Sequence, residues 1–187
     1  MKLSISNIAW ISEQDETVYD WMQNLGFSGL EIAPTRIFPE RPYEHLEEAA
    51  EWAKKLKEER DFTVPSMQSI WFGRTERVFG TEEERTALLD YTRKAIEFAE
   101  AVGCHNLVFG CPRNRNMPEM SEEYAVSCMD LAITFFRELG EYAREHGTVI
   151  GMEANPPMYH TNFINTTKEA LDLVERVDSR GFLLNLD

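Results

Sequence analysis

Basic residues are scarce in this chain. Its 187 residues carry 19 Lys and Arg against 33 Asp and Glu, a formal net charge of −14. A nucleic-acid backbone and an anionic membrane both demand a basic face, so neither is expected as a partner. Cysteine is scarcer still. Cys104, Cys111 and Cys128 are too few for a disulfide framework, and the spacing of the first two, with no paired His nearby, is not that of a zinc site. They read as buried, reduced thiols, with a nucleophilic Cys111 at a strand end as the alternative. Long apolar runs are absent: none approaches the ~20 residues of a membrane span, and the first ten residues lack the basic and apolar regions of a signal peptide. No Gly-rich phosphate loop follows the first apolar run, which argues against a dinucleotide-binding or P-loop fold. With 43% apolar and 11% aromatic residues, a cytoplasmic globular domain is the expectation.

What is present is one repeating unit: a short apolar run, a polar loop, a helical stretch, then glycine. The runs lie at 3–10, 29–34, 62–71, 106–111, 148–153 and 182–187, and are rich in Ile, Leu, Val and Phe, as strands buried on both faces of a parallel sheet are. Helical stripes fall between them: Val18, Trp21 and Leu25; Leu46, Ala49, Ala53 and Leu56; Leu88, Tyr91, Ala95, Phe98 and Val102; Ala125, Met129, Ala132, Phe136, Leu139 and Ala143; Ala170, Val174 and Val177. Thr81 with Glu84 and Thr166 with Glu169 are capping boxes. Gly26, Gly103, Gly147 and Gly181 stand where helices must stop, and Arg60-Asp61 takes that place after the second stripe.

Strict alternation predicts parallel strands with right-handed crossovers. Polar residues collect at the C-terminal ends of several runs, where a β/α barrel builds its site. The predicted fold is therefore a (β/α) TIM-type barrel. Six strands at about 35 residues each fall short of the roughly 250 residues of eight units. Residues 1–187 are thus expected to form a single domain holding the first six strands of an incomplete eight-stranded barrel, active only in a longer form.

The sharpest segment is Val149-Ile-Gly-Met-Glu-Ala-Asn-Pro-Pro157, where a carboxylate, Glu153, follows an apolar strand and an amide, Asn155, precedes a rigid turn. The sixth run likewise ends on an acid, Asp187. Two carboxylates at neighbouring strand ends would face one mouth, and a hard divalent cation would relieve their repulsion. Ion pairs with Arg113 or Arg115 are the alternative.

Glu153-Ala-Asn155, Thr161-Asn-Phe-Ile-Asn165, the helix that follows and Leu186-Asp187 resemble the xylose isomerase-like barrel family. That family holds sugar phosphate isomerases and epimerases, ketose 3-epimerases and the endonuclease IV type of abasic-site nuclease. Ser69-Ile-Trp-Phe-Gly-Arg74 and Val108-Phe-Gly-Cys-Pro-Arg-Asn-Arg115 resemble its sugar phosphate isomerase/epimerase branch. The resemblance runs over the whole chain. It implies that Glu153 is a metal ligand and acid/base residue and that Asp187 is a second ligand. The family's further ligands, a His on the seventh strand and a Glu on the eighth, have no positions here. Many relatives carry a third-strand His where this chain has Gln68, a departure that counts against the His-rich nuclease site.

The expected activity is metal-dependent isomerisation or epimerisation of a sugar or sugar phosphate through an enediolate, with Mn, Mg, Co or Zn as the cation. Expected substrate contacts are Asn155, Arg113, Arg115, Trp10, Trp71, Gln68, Glu31 and His160, with Arg supplying a fork of donors and Trp an apolar wall. A non-catalytic barrel that binds a ligand or partner is the alternative. Homo-oligomerisation is left open.

Overall fold

The computed structural model describes residues 2–118 and 122–186. Five short parallel strands run in chain order: β1 (Ser4–Ser6), β2 (Gly29–Glu31), β3 (Leu107–Phe109), β4 (Ile150–Met152) and β5 (Phe182–Leu184). β1 pairs with β2, and β3, β4 and β5 pair successively. The helices between them are α1 (Asp15–Asn24), α2 (Pro34–Ile37), α3 (Leu46–Arg60), α4 (Glu82–Ala101), α5 (Glu122–Glu145) and α6 (Thr167–Val177). From α3 to α6 each packs against the next. This is the wall of a partial β/α barrel.

The third predicted strand is not a strand among the described residues, although it occupies a strand's place. Single parallel bridges tie Thr63 to Gly29, Met67 to Ile32 and Met67 to Leu107, so this run joins β2 to β3. Its register against β2 slips by one residue between the first two bridges. Pro65, which has no N–H to give, sits in that slip, as expected of a bulge. Beyond it the backbone bonds resume, from Gln68 to the Ile32 carbonyl and from Val108 to that of Met67.

Alternation along the strands divides two environments. Leu30, Leu107, Phe109, Ile150, Met152 and Phe182 are fully buried under the helices. Trp71, Phe109, Phe136 and Phe182 form a continuous aromatic file, with ring centroids 4.7, 5.0 and 4.9 Å apart in that order, knitting the third run, β3, α5 and β5 together. The opposite strand face is small and polar on β1 and β2, with Ser4, Ser6, Gly29 and Glu31, and on β3 to β5 it carries Val108, Gly151 and Leu183. Gly151 is needed there: a Cβ would stand 2.5 Å from Asn106 Oδ1, and Asn106 Nδ2 reaches across it to Asn185 Oδ1 at 3.0 Å.

Both capping boxes form, at α4 and α6. Gly26, Gly103 and Gly147 adopt the left-handed conformation after their helices, but Gly181 does not. α6 is closed instead by Asp178 at φ 46° and α3 by Asp61 at φ 56°. Gly181 is glycine because a Cβ would meet the Gly140 carbonyl oxygen at 1.9 Å. The α1 stripe is also displaced. Met22 is its buried residue, whereas Trp21 and Leu25 are 61% and 71% exposed, and Ala125 on α5 is exposed too. No helix among the described residues is long and apolar enough to cross a membrane.

Candidate functional site

Beyond the ends of β3 and β4 lies a cavity of about 1010 Å³. Its walls include Gln68, Trp71, Arg113, Glu153, Asn155 and His160. Glu153 is the next residue but one after Gly151 on the inward side of β4, and its backbone N–H bonds the Phe109 carbonyl at 3.1 Å. The two side chains that matter most there are held by Arg115. Its guanidinium is fully buried, and all five N–H positions are occupied by protein acceptors. Nε bonds the Gly110 carbonyl at 2.6 Å, and Nη1 bonds the carbonyls of Phe163 and, at 3.0 Å, Ile164. Nη2 bonds the Glu153 carbonyl at 3.1 Å and Asn155 Oδ1 at 2.8 Å.

Arginine has only donors, so Asn155 must present its oxygen to Arg115 and its nitrogen elsewhere. Asn155 Nδ2 then donates to Glu153 Oε1 at 2.8 Å. The bare backbone of Gly110 lets this pair lie close: a Cβ there would be 3.1 Å from Asn155 Oδ1 and 3.4 Å from Glu153 Oε1. The segment 161–165 completes the unit. Ile164 O accepts from the Asn155 backbone N–H at 3.2 Å, and Asn165 Nδ2 bonds the carbonyls of Asn155 and Thr161 at 2.8 and 3.1 Å. The three sequence phrases around Arg115, Glu153 and Asn165 are thus one hydrogen-bonded assembly whose product is the placement of one carboxylate.

Burial pulls the Arg115 guanidinium down to about 10, which still leaves it charged at neutral pH. Burial likewise pushes the Cys111 thiol up to about 12, so at neutral pH it is a protonated thiol, a poor nucleophile and a poor metal ligand. Cys111 is in the left-handed region at φ 40°, where it turns the chain from β3 into the loop that carries Arg113 and Arg115.

The other expected contacts are distributed unevenly. Arg113 is exposed on the cavity wall and makes no ion pair with any described residue. Trp71 reaches the cavity although it is 3% exposed, and its Nε1 is bonded to Thr92 Oγ1 at 2.8 Å. His160, at φ 64°, lines the loop side. Trp10 lies elsewhere: its indole N–H is bonded to Asp15 Oδ1 at 2.7 Å at the start of α1, and it is not on the cavity wall. Glu31 stands behind the wall, bonded to Ser66 and Gln68. Phe72 and Tyr159, 69% and 53% exposed, also line the cavity and were not among the expected contacts. Their sequence signals are, for Phe72, a place in the phrase Ser69–Arg74 before Gly73 and, for Tyr159, a place in the loop after the Pro156-Pro157 turn.

Asp187 lies outside the described residues. Among those described, no group of three or more His, Cys, Asp or Glu converges on a metal position. The Glu153 carboxylate, an oxygen donor on the cavity wall, fits a hard divalent cation as one ligand of a larger set.

The family model described as xylose isomerase-like TIM barrel matches residues 19–187. The chain belongs to that family. Among solved structures, this xylose isomerase-like barrel is similar to 3-keto-D-glucoside 4-epimerase, YcjR, from E. coli, with 21% identity and a TM-score of 0.73 over 98% of this chain and 67% of that one. It is similar to D-psicose 3-epimerase in the presence of D-fructose, with 14% identity and a TM-score of 0.72 over 97% and 62%. It is also similar to an AP endonuclease, family 2, from Brucella melitensis, with 20% identity and a TM-score of 0.70 over 100% and 69%. The chain therefore spans about two thirds of the length of these barrels. No curated protein matches it significantly.

Proposed function

We propose that this barrel is an isomerase or epimerase of a sugar or sugar phosphate, and that Glu153 moves a proton at a carbon next to the substrate's carbonyl. The observation that carries the reading is the fixed line from Arg115 through Asn155 to Glu153 on the cavity wall. A general base must be held within hydrogen-bond reach of the proton it takes, and a buried, charged anchor two residues' reach behind it provides that constraint. Family membership and two epimerases among the structural neighbours support the same class.

In this reading Glu153 and Asp187 hold a divalent cation, Mn, Mg, Co or Zn. When bound, such a cation draws charge from the carbonyl and the adjacent hydroxyl, which makes the hydrogen between them more acidic. Glu153 takes that proton on one face of the resulting enediolate. A second acid/base group is needed to return it on the other face. Trp71 supplies an apolar wall for the sugar's C–H groups, and Arg113 and His160 meet its polar substituents at the rim. Arg115 acts through Asn155, with no N–H left for substrate.

The net charge of −14 gives no support to nuclease chemistry, which needs a basic face for the phosphate backbone. The test is a screen of ketoses and their phosphates, beginning with D-fructose, the sugar present in the D-psicose 3-epimerase structure. The full-length protein is assayed by NMR with and without each of the four cations. Cation-dependent conversion of at least one sugar supports the reading. No conversion of any, by protein that binds the cations, contradicts it.

A further inference from the structure

Gln68 and Glu31 lie outside the Arg115 assembly, yet they form a second oriented pair at the cavity. Glu31, at the end of β2, accepts hydrogen bonds on both carboxylate oxygens, from Ser66 Oγ at 2.6 Å and from Gln68 Nε2 at 2.7 Å. The same Gln68 nitrogen donates to Ser6 Oγ at 2.6 Å. Both amide protons of Gln68 are therefore directed backward, into the small polar face of β1 and β2. The reverse orientation would set an amide oxygen against a carboxylate, acceptor against acceptor, so the flip is chemically disfavoured. Gln68 lines the cavity, and its Oε1 takes no hydrogen bond from any described residue.

We infer that Gln68 is a specificity-determining contact whose amide is held by Glu31 and Ser6 with Oε1 toward the cavity, where it accepts a hydrogen bond from a substrate hydroxyl. The inference rests on the sugar-directed function proposed above and adds the chemistry of one subsite: it takes a donor. A hydroxyl satisfies Oε1, whereas a deoxy carbon at that position leaves it desolvated and unpaired. Glu31 is a positioning residue in this account and touches no substrate.

The probe is D-fructose with its series of monodeoxy analogues, titrated into the full-length protein and followed by tryptophan fluorescence, to which Trp71 on the cavity wall contributes. Gln68→Leu weakens D-fructose binding about five- to tenfold, the size of one neutral hydrogen bond. In that variant, discrimination against one deoxy analogue disappears. Glu31→Gln weakens binding by a smaller factor and adds nothing in the Gln68→Leu background, because its effect passes through Gln68. In the 1H–15N spectrum, Glu31→Gln speeds solvent exchange of the Gln68 side-chain amide protons while the backbone resonances stay in place. Binding that depends on Glu153 but is indifferent to Gln68→Leu overturns this inference alone, as do unchanged Gln68 amide protons in Glu31→Gln. Failure of wild-type protein to bind D-fructose or any analogue overturns both this inference and the sugar-directed function beneath it.

Discussion

Asn155 donates from Nδ2 to Oε1 of Glu153 at 2.8 Å, and the direction of that bond is set from behind, because Arg115 occupies Oδ1. An asparagine amide is ordinarily free to turn over. Here it is not, and the carboxylate in front of it inherits that fixity.

Asn155→Asp tests this relationship. The substitution keeps the size and the bond to Arg115 but replaces the donor facing Glu153 with an acceptor of like charge. Turnover is expected to fall about 10- to 100-fold, as when the support of a reacting group is lost. The acidic limb of the pH–rate profile should move to higher pH, while the urea midpoint changes little. A profile with an unmoved limb contradicts the role given to Asn155.

Arg115→Met removes five hydrogen bonds from a fully buried position and leaves the Gly110 and Glu153 carbonyls and Asn155 Oδ1 without a donor, while the Phe163 and Ile164 carbonyls keep Thr161 Oγ1 and the Asn155 N–H. A destabilisation of about 3–5 kcal/mol is expected, measured by urea unfolding. Arg113→Met, at the exposed neighbour, should leave stability within about 0.5 kcal/mol. Equal effects of the two would contradict the division of labour between them.

Gly151→Ala should destabilise the barrel by about 1–3 kcal/mol, since a Cβ would press on Asn106 Oδ1 from 2.5 Å. The cost should shrink when Asn106→Ala is also present, because the clash and the Asn106–Asn185 bond share one group. Strictly additive costs would place the strain elsewhere.

Alkaline stability follows from the buried thiols. Burial raises Cys104 from its usual 9.0 to about 12. Below pH 9 both folded and unfolded chains keep that proton. Between pH 9 and 12 the unfolded chain gives it up first, so stability falls as pH rises, by about 1.4 kcal/mol per unit at the steepest. Urea midpoints measured from pH 8 to 10.5 should drop more gently in Cys104→Ala than in wild type. Parallel declines would contradict the account.

The alternation of strand and helix, both capping boxes and the barrel order were legible in the sequence because each rests on local pattern. The third run was harder to read. Its apolar content is that of a strand, but Pro65 inserts a slip that only the pairing with β2 reveals. Trp21 and Leu25 follow helical spacing yet are exposed, since periodicity marks a face without saying whether another element covers it. In the site, Glu153 and Asn155 were marked by their place after an apolar strand. Arg115 was marked as a substrate contact or an ion-pair partner, and composition gave no sign that every one of its donors would be turned inward to protein acceptors. Trp10 and Trp71 look alike in sequence, and the difference between them is the partner each indole N–H finds, Asp15 for one and Thr92 for the other. Such long-range pairings are set by topology and leave no local trace.

The most direct test of the central claim is solvent exchange at the substrate carbon. The full-length protein is incubated with D-fructose in D2O with a saturating divalent cation, and deuterium at the carbon next to the carbonyl is followed by NMR. The account predicts cation-dependent incorporation that Glu153→Gln reduces by several orders of magnitude with the fold intact. Incorporation by Glu153→Gln at a rate near that of wild type would contradict it.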